Sequence, residues 1–219
     1  MLNFGLEDLR IVSPKFSLDN EKILPLAAGA DIVVRNTKVY ESFEDSVKDI
    51  NFLIAFTARK RTFTKITTDI PKAIIEINKN IQSNNQVGLV FGPENSGLNN
   101  RHLTLVDRII SIKTNQLFSS INLSHSVILF CYEWFIRVEM KKKSFVEKKI
   151  ENKTLATKEE LLNFFLQLEK KLEKSGFIKT DERKLTITSK LRNIFNRIDL
   201  TKNEILTLMG IINSIERKK

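Results

Sequence analysis

The 219-residue sequence predicts an α/β fold followed by a small all-helical module. Three observations point there. Near-continuous apolar runs at Asn51–Phe56, Gln86–Phe91 and Asp107–Ile112 read as strands of a parallel sheet covered on both faces. Ile70–Ile81 and Asn122–Val138 supply crossover helices. From Thr157 onward the apolar period is helical throughout.

Taken in order, Leu9–Pro14 (LRIVSP) reads as a strand ending at a turn. Lys22–Ala30 (KILPLAAGA) predicts a short helix that Pro25 weakens. Ser42–Asp49 suits another, with Ser42 as N-cap and acids in the first turn. After Glu139 the charged stretch MKKKSFVEKKIENK has no clear apolar face. It reads equally as a solvated helix end or as a basic arm that touches RNA. Beyond it, Thr157 with Glu160 and Thr201 with Glu204 match capping boxes. Leu161, Phe165, Leu168 and Leu172 mark one helix face, and Gly176 sits where a C-terminal glycine cap belongs. Leu191, Ile194, Phe195 and Ile198 mark a second helix; Ile205, Leu208, Ile212 and Ile215 mark a third. The expected division is an α/β domain over 1–140, a basic linker over 141–156 and a helical module over 157–219.

Composition narrows the function classes. A hydrophobic content of 42% supports ordinary cores, and seven glycines with four prolines are too few for a disordered chain. No run approaches the ~20 apolar residues of a membrane span, and the N-terminus lacks a signal-peptide pattern. The cytoplasm is the expected compartment. The single cysteine, Cys131, excludes an internal disulfide and reads as a buried small hydrophobe rather than a nucleophile. With only His102 and His125 beside it, no metal centre is expected. The net charge of +10 suggests a polyanionic partner, nucleic acid first, although genome bias also enriches lysine.

Three loops at predicted strand ends carry the chemistry. Leu89–Asn100 (LVFGPENSGLNN) places Gly92 and Gly97 around Pro-Glu-Asn-Ser. A triphosphate cradle needs Lys and Ser or Thr after the second glycine, where this chain has Leu98 and Asn99. Pro93 also lacks the N–H that a phosphate nest uses, and there is no G-x-G-x-x-G dinucleotide signature. What remains is a loop at the carboxyl end of a parallel strand, the usual ligand position in open α/β sheets. Glu94 and Asn95 would project from its rim. The second loop, within Ile112–Phe135, carries Phe118, Ser119 and Ser120 before a long helix. Ser120 is then either that helix's N-cap or a functional hydroxyl. The third, Phe56–Arg59 (FTAR), runs into Arg59, Lys60 and Arg61. That cluster is either an ordinary basic loop or a set of phosphate contacts.

In this order, FTARKR, LVFGPENSGLNN and IKTNQLFSSINLSHSV resemble the signature motifs of the SpoU branch of the SPOUT methyltransferases, nearest the TrmJ-type tRNA 2′-O-methyltransferases. The combination F-G-x-E-x-x-G-L with S-S-x-N-L is the specific part. The segments FFLQLEKKLEKSGF, KLRNIFNR and EILTLMGIINSIERK are similar to the C-terminal module of the same proteins, so the resemblance spans nearly the whole chain. It implies a parallel sheet with a C-terminal trefoil knot, a topology composition could not suggest. It also implies a homodimer and S-adenosyl-L-methionine as methyl donor. By motif position the donor would meet Phe56, Thr57, Ala58, Gly92, Ile112, Ser119, Ser120 and Ile121. Ser120 would stand at the reacting centre, with Glu94 and Asn122 shaping the pocket. The implied activity is 2′-O-methylation of tRNA, at the pyrimidine ribose opening the anticodon loop. Alternatives are a ribosomal RNA target and a non-catalytic RNA-binding protein of this fold. Arg59, Lys60, Arg61, Arg101, Lys141, Lys142 and Lys143 are the expected phosphate contacts.

One element of the pattern has no counterpart. The family's first motif reads approximately N-x-G-x-x-x-R before A-M-x-x-F-G-L, and its arginine is credited with activating the ribose hydroxyl. Here M-L-N-F-G-L opens the sequence, and Arg10 lies beyond that segment and cannot substitute by position. A 2′-hydroxyl needs deprotonation or polarisation in line with the donor. The 219-residue chain by itself is therefore expected to show little or no methyl transfer. An in-frame N-x-G-x-x-x-R upstream in the DNA would mark an internal start.

Overall fold

The computed structural model describes residues 1–15, 17–18, 23–57, 66–115, 117–139, 153–178 and 180–216. In chain order its elements are β1 (Arg10–Val12), α1 (Ile23–Leu26), α2 (Asp31–Arg35), β2 (Lys38–Tyr40), α3 (Phe43–Val47), β3 (Phe52–Phe56), β4 (Ile66–Thr68) and α4 (Ile70–Gln82). There follow β5 (Val87–Phe91), α5 (Asn100–Leu103), β6 (Arg108–Ile110), α6 (Leu123–Trp134), α7 (Lys158–Lys174), α8 (Asp181–Asn196) and α9 (Lys202–Glu216). They fall into two compact units, residues 1–48 with 121–147 and residues 49–120 with 148–219.

In the first unit the predicted strand at Leu9–Pro14 forms as β1, but it pairs in parallel with β2 in a two-stranded ribbon of its own. Ser42 caps α3 as its sequence suggested, its hydroxyl accepting from the Asp45 N–H at 3.1 Å. α3 packs on both strands of the ribbon. The Arg10 guanidinium donates to the Ser46 carbonyl at 2.7 Å and lies over the Tyr40 ring at 5.9 Å, so Arg10 serves the packing of this unit. α6 continues into a wider turn at Phe135–Glu139, and the Phe4 ring meets Tyr132 and Phe135 at 6.1 and 5.9 Å. Cys131 is buried, and burial pushes its thiol pKa up, away from the reactive thiolate.

The second unit holds a four-stranded, all-parallel sheet in the order β4-β6-β3-β5. β3 lies between two neighbours and every one of its residues is buried, as a continuous apolar run requires. α4 starts at the Asp69 cap, whose carboxylate accepts from the Lys72 N–H at 3.1 Å, and buries Ile70, Ala73, Ile74 and Ile77. β6 is shorter than the predicted run because Asp107 turns its carboxylate onto the Leu53 N–H at 2.7 Å, and Ile112 lies past the ladder.

α7, α8 and α9 share a core of Ala156, Leu161, Phe164, Phe165, Leu200 and Ile205, against which Phe195, Leu208 and Ile212 pack. Gly176, at φ 76°, ends α7: its N–H reaches the Glu173 carbonyl and the Phe177 N–H the Leu172 carbonyl, a Schellman pair. Residues 153–156, the end of the expected linker, are held to the sheet. Asn51 donates to the Leu155 carbonyl at 2.7 Å, and the Leu155 N–H donates to Asn85 at 2.8 Å. The Lys158 ammonium reaches Asp107 at 2.5 Å with both side chains buried. Arg108 lies over the Phe52 ring and pairs with Glu76 at 2.9 Å and Asp199 at 2.8 Å.

Both capping boxes form. The Thr201 N–H and hydroxyl hold the Glu204 carboxyl below its ordinary pKa. Burial raises that of Glu160, but the Thr157 N–H and Lys202 outweigh it and the net shift is downward. A carboxyl depressed in the folded state stabilises above its unfolded pKa of about 4.3 and loses that contribution as pH falls through the folded value. Chain stability is therefore expected to decline below about pH 4.5. The Glu160→Gln/Glu204→Gln pair should flatten that decline in urea titrations across pH 3 to 6.

Candidate active site

The sheet register brings the signature loops to one edge. Phe56, the last residue of β3, stands opposite Phe91 of β5 and Ile110 of β6, so the three strands end flush. The Thr57 N–H adds one more rung, to the Ile110 carbonyl at 3.2 Å. The Phe56 and Phe91 rings stack at 4.4 Å and make an apolar floor there. Phe56, Thr57, Gly92 and Ile112 thus lie at or just beyond the carboxyl ends of adjacent strands, where ligands of open α/β sheets bind.

The glycine loop is a tight turn returning on itself. The Pro93 carbonyl accepts from the Gly97 N–H at 2.7 Å, and Gly97 takes φ 66°. A Cβ at Gly92 would strike the Gly97 and Leu98 backbone, so this position needs glycine for the loop's own closure. Leu98 is buried and anchors the return, and Asn99 caps α5 by accepting from the His102 N–H at 2.8 Å. Glu94 is exposed on the turn and Arg101 is exposed in α5.

The loop after β6 is pinned at its base. Thr114 donates to the Ser119 carbonyl at 3.5 Å, the Phe118 N–H to the Asn115 carbonyl at 3.0 Å, and the Leu117 N–H to the Asn115 side chain at 3.0 Å. Ser119 and Ser120 are exposed at its end. Of the two readings of Ser120, the helix cap is excluded: Asn122 caps α6, its Oδ1 accepting from the Ser124 N–H at 2.8 Å. Ile121 is half-buried and, with Asn122, belongs to the other compact unit. Ala58, Arg59, Lys60, Arg61, Lys141, Lys142 and Lys143 lie outside the described residues. Among the described residues no cluster of His, Cys, Asp or Glu could hold a metal ion, and no helix is long and apolar enough to cross a membrane.

Sequence reasoning missed the Thr114 and Asn115 contacts that pin the loop, and the Asn99 cap. Asn99 had a signal, an Asx residue directly before a short helix; the Thr114 contact had none.

Residues 1–132 match the model of the SpoU rRNA Methylase family. The chain belongs to the SpoU family. Residues 159–219 match a second model, the C-terminal domain of tRNA methyltransferase TrmJ. Among SpoU-type relatives, an uncharacterized tRNA/rRNA methyltransferase of Haemophilus influenzae is 32% identical over all of this chain and 87% of its own length. The tRNA (cytidine-2′-O-)-methyltransferase TrmJ of Methanocaldococcus jannaschii is 30% identical, over 96% of this chain and 88% of that protein. The crystal structure of TrmJ from Z. mobilis superposes with a TM-score of 0.84 at 34% identity, covering 99% of this chain and 90% of that one. The parallel-sheet α/β fold with added helices is therefore the fold of this SpoU branch.

Proposed function

We propose that this SpoU-family chain carries the donor and ribose sites of an S-adenosyl-L-methionine-dependent tRNA 2′-O-methyltransferase acting at the pyrimidine that opens the anticodon loop, while the activating arginine of the family's first motif has no counterpart among its residues. The observation that carries the reading is the flush edge of β3, β5 and β6, from which the signature loops leave in the family's order. The helical module similar to the TrmJ C-terminal domain favours tRNA over ribosomal RNA.

The edge fits the donor's chemistry. An adenosine ring needs an apolar wall and backbone hydrogen-bonding groups. The Phe56–Phe91 stack supplies the first, and the strand ends and turns supply the second. Glu94, exposed on the turn, offers a negative charge that suits a sulfonium. Phe56, Thr57, Gly92, Ile112, Ser119 and Ser120 would hold the donor from this unit, with Ile121 and Ala58 following by motif. When bound, the donor supplies an electrophilic methyl group.

This chain's own residues orient the ribose against it. Ser120, released from capping by Asn122, presents its hydroxyl to the substrate oxygen. Thr114 and Asn115 hold the loop that carries it, so the approach is fixed before RNA arrives. Arg101, with Arg59, Lys60, Arg61 and Lys141 to Lys143, would neutralise phosphates without reading sequence. A second copy of the chain is part of the reading: α6 exposes Ile128, Leu129 and Tyr132 on one stripe, a face suited to burial in a homodimer. The family's trefoil knot belongs to the same proposal.

Mapping of 2′-O-methyl groups in RNA from cells with and without the gene tests the function. Loss of the mark from the pyrimidine opening the anticodon loop, restored by the gene, is the expected result. A mark lost from ribosomal RNA would transfer the reading to that substrate, and an unchanged methylation map would overturn it.

A further inference from the structure

The tip of the loop between β6 and α6 has a feature that neither the donor site nor the fold uses. Leu117 is 94% exposed and Phe118 is 79% exposed, among the most accessible large apolar side chains described. The turn is set by the Phe118 N–H to the Asn115 carbonyl, the Leu117 N–H to the Asn115 side chain, and the Thr114 hydroxyl to the Ser119 carbonyl. An aromatic ring held outward by a pinned backbone is a preorganised contact surface, because little backbone entropy remains to be lost on binding. The ring is two residues from Ser120, a chain distance of about 7 Å at most. Lys113, exposed in the same loop, adds positive charge beside it.

We infer that Phe118 is a stacking platform for the base of the nucleotide that is methylated, a positioning residue for the RNA substrate. The inference rests on the RNA methyltransferase reading above. Single-stranded RNA loops are recognised by splaying bases onto aromatic faces, and stacking is tolerant of base identity. A ring two residues from Ser120 is placed to grip the base attached to the reacting ribose and so to orient its 2′-oxygen. The net charge of +10 favours a polyanionic occupant such as RNA over a neutral or basic protein surface, and stacking on an aromatic face favours a nucleobase over an acidic side chain.

The test measures binding of an anticodon stem-loop RNA to the full chain, with the mapped target nucleotide either intact or abasic. Phe118→Leu is expected to weaken binding of the intact RNA roughly tenfold to a hundredfold. It should leave binding of the abasic RNA unchanged, and Phe118→Trp should restore affinity. The affinity for S-adenosyl-L-methionine should not move. Equal affinity of Phe118→Leu and the parent chain for the intact RNA would overturn the inference alone. So would a loss that persists with abasic RNA, one matched by a loss of donor affinity, or one explained by dissociation of a dimer in sedimentation. Failure of the parent chain to bind RNA at all would instead remove the underlying reading, and the platform with it.

Discussion

Lys158→Met is expected to destabilise the chain by about 3–5 kcal/mol, the usual consequence of leaving a buried charge without its partner. The Lys158 side chain is fully buried, and its ammonium meets the 5%-exposed carboxylate of Asp107 at 2.5 Å. The same Asp107 oxygen also accepts the Leu53 N–H in the central strand, so the pair ties the start of α7 to β3 and β6. Domains of this size are stable by about 5–15 kcal/mol, so one substitution should remove a large fraction of the total. Adding Asp107→Asn to the Met variant should recover most of the loss, since an amide oxygen still accepts from Leu53 without carrying a charge. Urea denaturation followed by circular dichroism decides it; a single-variant loss under about 1 kcal/mol would mean that the pair is not desolvated.

Gly92→Ala is expected to abolish donor binding, by more than about a hundredfold, with a smaller effect on the fold of about 1–3 kcal/mol. The added methyl has no room: it meets the Gly97 and Leu98 backbone, and the loop can admit it only by opening. Opening would pull on Leu98, which is 4% exposed, and would displace the turn from the strand edge. Gly97→Ala makes the contrast. Gly97 has a positive φ of 66° but open space around its missing side chain. Its substitution should therefore cost only about 1–2 kcal/mol of local backbone strain and retain most of the donor affinity. Isothermal titration of both variants separates a steric requirement from a conformational one.

Much of this architecture was legible in residue patterns. The runs at Phe52–Phe56 and Val87–Phe91 read as parallel strands covered on both faces because nothing polar interrupts them; both are parallel strands, β3 fully buried and β5, at the end of the sheet, only half-buried. The capping residues Ser42, Thr157 and Thr201 and the terminal glycine of α7 announced themselves by local chemistry that needs no tertiary context. β2 (KVY) and β4 (ITT) did not, because three residues are too few to show a period. The separate ribbon of β1 and β2 depends on pairing partners 28 positions apart, which one sequence does not reveal. At the site, the strand-end rule located the loops, while the reason for Gly92 lay in the return path of Gly97 and Leu98. Nothing in the residue pattern joins Asp107 to Lys158, 51 residues apart; only the fold brings the two charges together out of water.

Titration calorimetry of S-adenosyl-L-methionine into the purified chain tests most directly whether the edge of β3, β5 and β6 holds a methyl donor. Saturable binding of one donor per chain, lost in Gly92→Ala and kept in Gly97→Ala, is the predicted result. A folded parent chain that takes up no donor, or a Gly92→Ala variant that binds it as well as the parent, would contradict the assignment of this edge.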